Sequence, residues 1–206
     1  MQINHFISGP LAVNSFLVVD EKTKKAFIVD PGGENKGLLK QVKEQDLQVE
    51  YIILTHGHGD HIGGVESYQK HFPEIKVVAH EEEKEMLENP SLNHSTITCG
   101  RPIVISVDRY VKDEDILQVG NMKLKFLFTP GHTPGGMCIY VGDSLFSGDT
   151  LFAQSVGRTD FPKSSFASLK ESILAKLYVL PDETKVYPGH MGTTTIGFEK
   201  EHNPFV

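Results

Sequence analysis

The chain has 206 residues, of which 39% are hydrophobic and 23% charged, and these proportions exclude a disordered or collagen-like chain. Its net charge of −7 comes without a cluster of basic residues, which argues against nucleic-acid binding because phosphate neutralisation needs clustered lysine and arginine. No apolar run approaches a membrane span, and the first residues lack the pattern of a signal peptide. With only two cysteines, Cys99 and Cys138, we expect a reduced, cytoplasmic protein that binds no membrane.

The first half of the chain alternates β-like and helical segments. Runs rich in valine, isoleucine and phenylalanine predict strands at Asn14–Asp20 and Ala26–Asp30, joined by a turn at Glu21–Lys24. Further predicted elements in this half are a helix within Gly33–Asp46, a strand at Tyr51–Leu54, a helix at Gly64–Phe72, a strand at Lys76–Ala79 and a short helix at Glu81–Leu87.

The second half begins with an irregular stretch, Asn89–Asp108, which contains prolines and a glycine and which we predict to be a flexible lid. Four β-like segments follow, at Ile116–Val119, Met122–Phe128, Met137–Val141 and Ser144–Phe146. An apolar stripe at helical spacing then predicts a helix, with Ser164 or Ser165 as its N-cap; its members are Phe166, Leu169, Ile173 and Leu177. A last strand is predicted at Lys185–Tyr187.

Several predicted strands end in a polar residue of the kind that binds metals or substrates. Because such residues follow strands that alternate with helices, we predict an α/β sandwich with one active edge. No low-complexity segment or linker interrupts the chain, so we predict a single domain over residues 1–206. The sequence makes no prediction about the oligomeric state.

The strongest signal is the segment Thr55–His61, in which four residues of the kinds that bind metals fall within six positions. In an extended loop, residues two apart point the same way, so His56 and His58 could close on one cation. Asp60 and His61 follow where the chain turns toward the next helix, and they would address a second point in space. Imidazole and carboxylate are ligands for zinc, iron or manganese.

Two glycines, Gly57 and Gly59, separate these residues. We predict that they allow backbone angles that larger residues could not adopt in so tight a turn. A histidine-rich surface turn is the alternative interpretation, but the density of the motif favours a metal site.

Three further residues of the kinds that bind metals lie at comparable strand ends: His132, Asp149 and His190. Taken singly, each has an ordinary interpretation, because Gly-His after a strand is often a turn and Asp before Thr is often a helix cap. Their coincidence with the first motif makes a shared metal site the better interpretation. Neither cysteine belongs to this set, which disfavours a structural zinc of the thiolate type.

With these residues the chain resembles the metallo-β-lactamase-fold hydrolases, and within them the glyoxalase II-like branch. The resemblance runs from about Asn14 to Pro204, and the short ending Thr195–Phe205 is similar to the single-domain members. It implies a four-layer αββα sandwich with two metal ions at one edge of the sheets. The implied ligands are His56, His58 and His132 for the first metal, Asp60, His61 and His190 for the second, and Asp149 as a bridge between them.

The implied activity is hydrolysis of a small-molecule thioester of the S-2-hydroxyacylglutathione type. Two divalent ions, zinc before iron or manganese, would hold a hydroxide that attacks the thioester carbonyl. Asp60 would act as a ligand and as the catalytic residue that orients this hydroxide. The helical domain that carries much of the glutathione-binding surface in full-length glyoxalase II has no counterpart after His190.

Other readings of the same motifs stay open. An iron-dependent persulfide dioxygenase of this fold would use one iron on His56, His132 and Asp149. A lactonase is a third enzymatic alternative, and a non-enzymatic metal-binding module is a fourth.

Two residues outside the motifs have alternative roles. Asp30 either supports the ligands or forms a plain Asp-Pro-Gly turn, and Arg158 is either a surface residue or faces the substrate. Histidines without a motif, including His80 and His94, are interpreted as ordinary surface or core residues.

Overall fold

The computed structural model describes all 206 residues. Its first sheet has six strands in the order of the chain: β1 (Gln2–Ser8), β2 (Val13–Val19), β3 (Lys25–Val29), β4 (Gln48–Ile53), β5 (Lys76–His80) and β6 (Arg109–Val111). The pairs from β1 to β3 are antiparallel, and those from β3 to β6 are parallel.

The second sheet also has six strands. In chain order they are β7 (Ile116–Val119), β8 (Met122–Phe128), β9 (Met137–Val141), β10 (Ser144–Gly148), β13 (Lys185–Pro188) and β14 (Thr194–Thr195). In space the order is β14-β13-β10-β9-β8-β7, with β10 and β13 parallel. A two-stranded hairpin, β11 (Leu151–Phe152) and β12 (Ser155–Val156), stands apart from both sheets.

Seven α-helices connect or flank these strands: α1 (Lys36–Glu44), α2 (Gly59–Ile62), α3 (Val65–His71), α4 (Lys84–Glu88), α5 (Ser95–Thr98), α6 (Phe166–Ser172) and α7 (Ile196–His202). A 3₁₀ turn, Glu81–Glu83, precedes α4, and a π-helical turn, Ile173–Leu177, extends α6. No helix has the length and apolar character needed to cross a membrane.

Three hydrophobic cores divide the molecule into four layers. Alternate residues of β2 face opposite sides, so that Phe16 and Val18 lie between the two sheets while Leu17 and Val19 face the outer helices. A third core packs α6 and the π-helical turn against the second sheet. Burying each such side chain stabilises the fold by about 1.5–3 kcal/mol. The predicted αββα sandwich is confirmed.

The predicted elements are confirmed with small shifts of their ends. The helix expected within Gly33–Asp46 is shorter because Asn35 caps it, with its side chain accepting bonds from the amides of Gly37 and Leu38. Ser165 caps α6, as one of the two predicted serines.

Some elements were not predicted, among them β1, β6 and α7. β1 is a sheet-edge strand whose side chains are mostly half-buried or exposed, so its polar residues conceal the strand pattern. The predicted lid, Asn89–Asp108, contains α5, and its Asn93 is completely buried with its carbonyl accepting from Gly59. Its flexibility stays a prediction.

Candidate metal centre

The carboxyl ends of several strands meet at one edge of the sandwich, and the predicted ligand residues follow them. β3, β4 and β5 are parallel, as are β10 and β13, so the loops after them leave at a common side. Buried β4 leads into Thr55, and the short helix α2 then carries Asp60 and His61. His132 follows β8, Asp149 follows β10, and His190 follows β13.

Six of the seven predicted residues form two groups in the structure. Donor atoms within each group lie within 4.8 Å of one another: one group is His56, His58 and His132, and the other is Asp60, His61 and His190. This grouping is the one that the family resemblance implies.

The Asp149 carboxylate lies between the two groups. Its Oδ1 is 3.4 Å from His61 Nε2, and its Oδ2 is 3.6 Å from His132 Nε2 and 3.8 Å from His190 Nε2. One carboxylate therefore faces donor atoms of both groups, which is the placement that a bridging ligand requires.

The imidazoles of the site are oriented through their other ring nitrogen. His61 Nδ1 lies 2.9 Å from Asp30 Oδ2, and His132 Nδ1 lies 2.8 Å from the carbonyl oxygen of Arg158. His56 Nδ1 lies 3.1 Å from the Thr55 hydroxyl. Such partners fix the ring and direct Nε2 toward a metal; Nε2 of His56 and His61 has no partner, whereas His132 Nε2 lies 2.9 Å from His58 Nδ1.

The Asp30 carboxylate makes several of the contacts that hold these ligands. Its carboxylate accepts bonds from the Thr55 amide at 2.8 Å and the Thr55 hydroxyl at 2.6 Å, besides contacting His61. Its backbone also adopts a left-handed conformation with φ of 46°. Of the two alternatives considered from the sequence, the structure therefore shows the support for the ligands, while residues 30–32 form no regular turn.

Four buried donor atoms of the site have no hydrogen-bond partner: His56 Nε2, His58 Nε2, His61 Nε2 and Asp149 Oδ1. A buried polar atom without a partner costs about 1–3 kcal/mol, so several at one place need a common explanation. Nitrogen and carboxylate donors converging without thiolates fit divalent cations such as zinc. The residues therefore fit a metal centre.

Burial and neighbouring charges shift the pKa values of this cluster in opposite directions. Burial, together with the adjacent His132, lowers the pKa of His58 to about 2, which keeps this imidazole neutral. Burial also lowers the pKa of His61, but Asp149, Asp60 and a third carboxylate outweigh it and raise the value to about 10. A cation binding to His61 must therefore displace a proton.

The glycines of the motif act differently from the prediction. Neither Gly57 nor Gly59 has a positive φ, so the prediction that they supply unusual backbone angles is wrong. A Cβ on Gly59 would lie 2.3 Å from Thr98 Oγ1 and 2.5 Å from Ser95 Cα. Close packing of α5 against the motif, rather than backbone conformation, requires glycine there.

Glu83 supports the site and has no motif that reveals it. Its side chain is completely buried, and its two oxygens accept bonds from the Gly57 and Gly135 amides, each at 2.7 Å. These amides belong to the loop of His56 and the loop of His132, so one carboxylate joins two loops of the first group. Burial raises the pKa of Glu83 to about 7, although the two amide bonds oppose this.

A cavity of about 550 Å³ opens onto the two groups. His94, interpreted from the sequence as an ordinary histidine, lines it, with its ring centroid 5.8 Å from that of His58 and 5.2 Å from that of Phe161. Arg158 also lines the cavity but is exposed to solvent. His80, by contrast, caps the 3₁₀ turn as an ordinary structural residue.

Residues 8–190 match the Metallo-beta-lactamase superfamily. The chain belongs to this family. It is 37% identical over 198 residues to the hydroxyacylglutathione hydrolase GloC of Haemophilus influenzae, covering 94% of this chain and 92% of the relative.

Solved structures give the same result. The BLEG-1 B3 metallo-beta-lactamase is 39% identical, with a TM-score of 0.91 over 99% of each chain. A di-iron-bound form of TTHA1623 is 33% identical, with a TM-score of 0.85 over 98% of this chain and all of its own. The chain is thus a metallo-hydrolase superfamily member along nearly its whole length.

Proposed function

We propose that the chain is a dinuclear metallohydrolase that cleaves small-molecule thioesters of the S-2-hydroxyacylglutathione type. The observation that carries the proposal is the pair of three-residue donor groups with the Asp149 carboxylate between them. The similarity to GloC, named a hydroxyacylglutathione hydrolase, supports the substrate class. Residues 1–206 would form one catalytic domain, and its free thiols, Cys99 and Cys138, fit a cytoplasmic location.

Two divalent ions would be held, with zinc as our first candidate, and the imidazole and carboxylate donors also suit iron or manganese. His56, His58 and His132 would hold the first, and a second set would hold the other: Asp60, His61 and His190. Asp149 would contact both. When bound, such ions polarise a carbonyl and lower the pKa of water.

Asp60 would be the catalytic residue. Burial raises its pKa, but the imidazoles of His61 and His190 outweigh this and leave the pKa below its usual range, so the carboxylate is ionised at neutral pH. Its Oδ2 lies 3.2 Å from His190 Nε2 and 3.7 Å from His61 Nε2, which fixes its direction. An ionised, fixed carboxylate can accept a hydrogen bond from the attacking water and orient it toward the carbonyl.

The leaving group of a thioester needs no proton from the protein. A thiol has a pKa of about 8.5, so it departs as a thiolate without a proton donor. The absence of a lysine in the cavity lining is therefore no obstacle to thioester cleavage.

β-Lactam hydrolysis is a second candidate because the BLEG-1 structure, named a B3 metallo-beta-lactamase, is similar over 99% of this chain. The amide nitrogen of a β-lactam is a poorer leaving group than a thiolate. Two further candidates are a mononuclear iron persulfide dioxygenase and a lactonase. One set of assays distinguishes all of these activities.

The test is an anaerobic incubation of protein purified without chelators with S-lactoylglutathione, with free thiol as the readout. Thiol release is expected because hydrolysis needs no oxygen. Asp60→Asn should lower turnover by at least about 100-fold, whereas the matched change Asp46→Asn, at an exposed position in a turn, should have no effect.

Three results would contradict the proposal. Oxygen consumption with a glutathione persulfide, without cleavage of any thioester, would indicate the dioxygenase. Cleavage of a β-lactam or a lactone with no thioester cleavage would indicate the corresponding alternative hydrolase.

A further inference from the structure

The outer wall of the cavity above the donor groups is apolar. Five of its thirteen lining residues are hydrophobic: Leu11, Ile97, Phe152, Phe161 and Met191. Three of them are unusually exposed for their type, since Leu11 is 51%, Ile97 83% and Met191 59% accessible. They come from distant segments, namely the turn between β1 and β2, helix α5 and the loop after β13, so the fold gathers them at the mouth.

An exposed apolar cluster around a cavity is typical of a ligand-binding surface. The three exposed side chains, Leu11, Ile97 and Met191, belong to none of the three buried clusters. The fold thus leaves apolar surface in water beside the donor groups, where a substrate can cover it.

Outside the donor groups, the cavity offers a substrate carboxylate only two basic side chains, Arg158 and His94. Arg158 is its one lysine or arginine, and the Nε–Nη2 edge of that guanidinium is occupied by Asp160, at 2.9 Å from Nε and 2.8 Å from Nη2. The guanidinium also lies over the Phe161 ring, 4.5 Å from its centre. A bidentate pair of this kind is neutral as a unit and engages two of the five N–H donors of the arginine.

A glutathione thioester carries two carboxylates beyond the scissile bond. Moving an ionised group against an apolar wall costs free energy unless a partner replaces its water, and the lining supplies no unpaired cation of its own for that purpose. An uncharged chain has no such cost and gains from covering Leu11, Ile97 and Met191.

We propose that the preferred substrate is a thioester with an uncharged aliphatic arm, which extends from the donor groups across the apolar mouth of the cavity. This inference rests on the proposed thioester hydrolysis, but it replaces the charged glutathione arm of the substrate proposed above with an uncharged one. The arm could belong to the acyl group or to the thiol, since the same wall would receive either.

The expected signature is a dependence of kcat/KM on chain length. Each methylene that leaves water for an apolar wall favours binding in the transition state by roughly fourfold. The rise should continue over several methylenes and stop when the chain outgrows the cavity of about 550 Å³.

The experiment uses two series of thioesters with the metal-containing protein. One series varies a straight acyl chain on N-acetylcysteamine, a small uncharged thiol, and the other varies an alkyl thiol on a fixed lactoyl group. S-Lactoylglutathione is the charged reference. We expect kcat/KM to rise roughly fourfold per methylene in one series, which identifies the arm, and to exceed the value for S-lactoylglutathione.

Variants test whether the mouth of the cavity causes this dependence. Ile97→Gln should flatten the chain-length series, because it replaces an apolar contact with a polar one at a position that is 83% exposed. The control Val179→Gln is also a surface change, at a position that is 71% exposed and outside the cavity, and it should leave the series unchanged.

This inference would be overturned, and thioester hydrolysis left intact, if kcat/KM did not depend on chain length in either series. The same holds if kcat/KM were higher for S-lactoylglutathione than for every uncharged ester. An equal effect of Ile97→Gln and Val179→Gln would also overturn it. If no thioester in either series is cleaved, the proposed function itself is refuted, and the inference falls with it.

Discussion

Glu83→Gln is a nearly isosteric change that tests whether the buried carboxylate holds the two ligand loops. The native carboxylate accepts a bond from the Gly57 amide and another from the Gly135 amide, each at 2.7 Å. A glutamine has one acceptor oxygen, so its NH₂ group must face one of these amides and leave that donor unpaired. A buried unpaired donor costs about 1–3 kcal/mol. Gly135 has little room to move, because a Cβ there would lie 2.2 Å from the Glu83 backbone nitrogen.

We expect Glu83→Gln to lower the free energy of unfolding of the metal-free protein by about 1–3 kcal/mol. Metal affinity should fall by about 10–100-fold, as is usual when a partner that orients ligands is lost. Denaturant titration and competition with a chromogenic chelator measure the two quantities. The neighbouring Glu82→Gln, at an exposed site, should change neither. The reasoning is refuted if Glu83→Gln matches Glu82→Gln in both measurements.

Three further changes test other parts of the structure. Asp30→Asn removes the charge that orients His61, so metal affinity should fall about 10-fold or more in a chelator competition, and an unchanged affinity would exclude this role. Hydrogen bonds, chiefly from the backbone amide of Asn121 in the turn between β7 and β8, lower the pKa of Asp20 to about 2. The stabilisation by Asp20 is therefore complete above its ordinary pKa of 3.8 and is lost as the pH falls through about 2. The difference in denaturation midpoint between wild type and Asp20→Asn should accordingly shrink over that interval, and a constant difference would contradict the assignment. Gly59→Ala should destabilise the protein by about 1–3 kcal/mol through its clash with α5, whereas Gly192→Ala, with no atom within 4 Å of the new Cβ, should be neutral in thermal melts.

Much of the site could be predicted because its residues are close together in sequence or stand at strand ends. Segment Thr55–His61 supplies four candidate ligand residues, and parallel strands place their carboxyl ends at one edge of the sheet. The four layers were implied by the family resemblance, and the continuous burial of β2 agrees with them, since it marks a strand buried on both faces. The assignment of individual ligands to two metals stays a prediction.

The remaining features depend on contacts between distant parts of the chain. Glu83 follows two exposed glutamates, and in sequence it is an ordinary member of an acidic run. Its role depends on Gly135, 52 residues away. His94 similarly joins the cavity only because its segment packs on Gly59 through the neighbouring Asn93. Local patterns carry no information about such contacts, which tertiary packing creates.

The most direct test of the dinuclear centre is the metal content of three proteins purified without chelators. Wild type should hold about two metal ions per chain. Asp149→Ala should lose both, because its carboxylate faces both donor groups, while His190→Ala should keep about one, because it removes a donor from the second group only. Unchanged circular dichroism would confirm that each variant is folded. An Asp149→Ala protein that retains about two metal ions would contradict the bridging role and with it the dinuclear account.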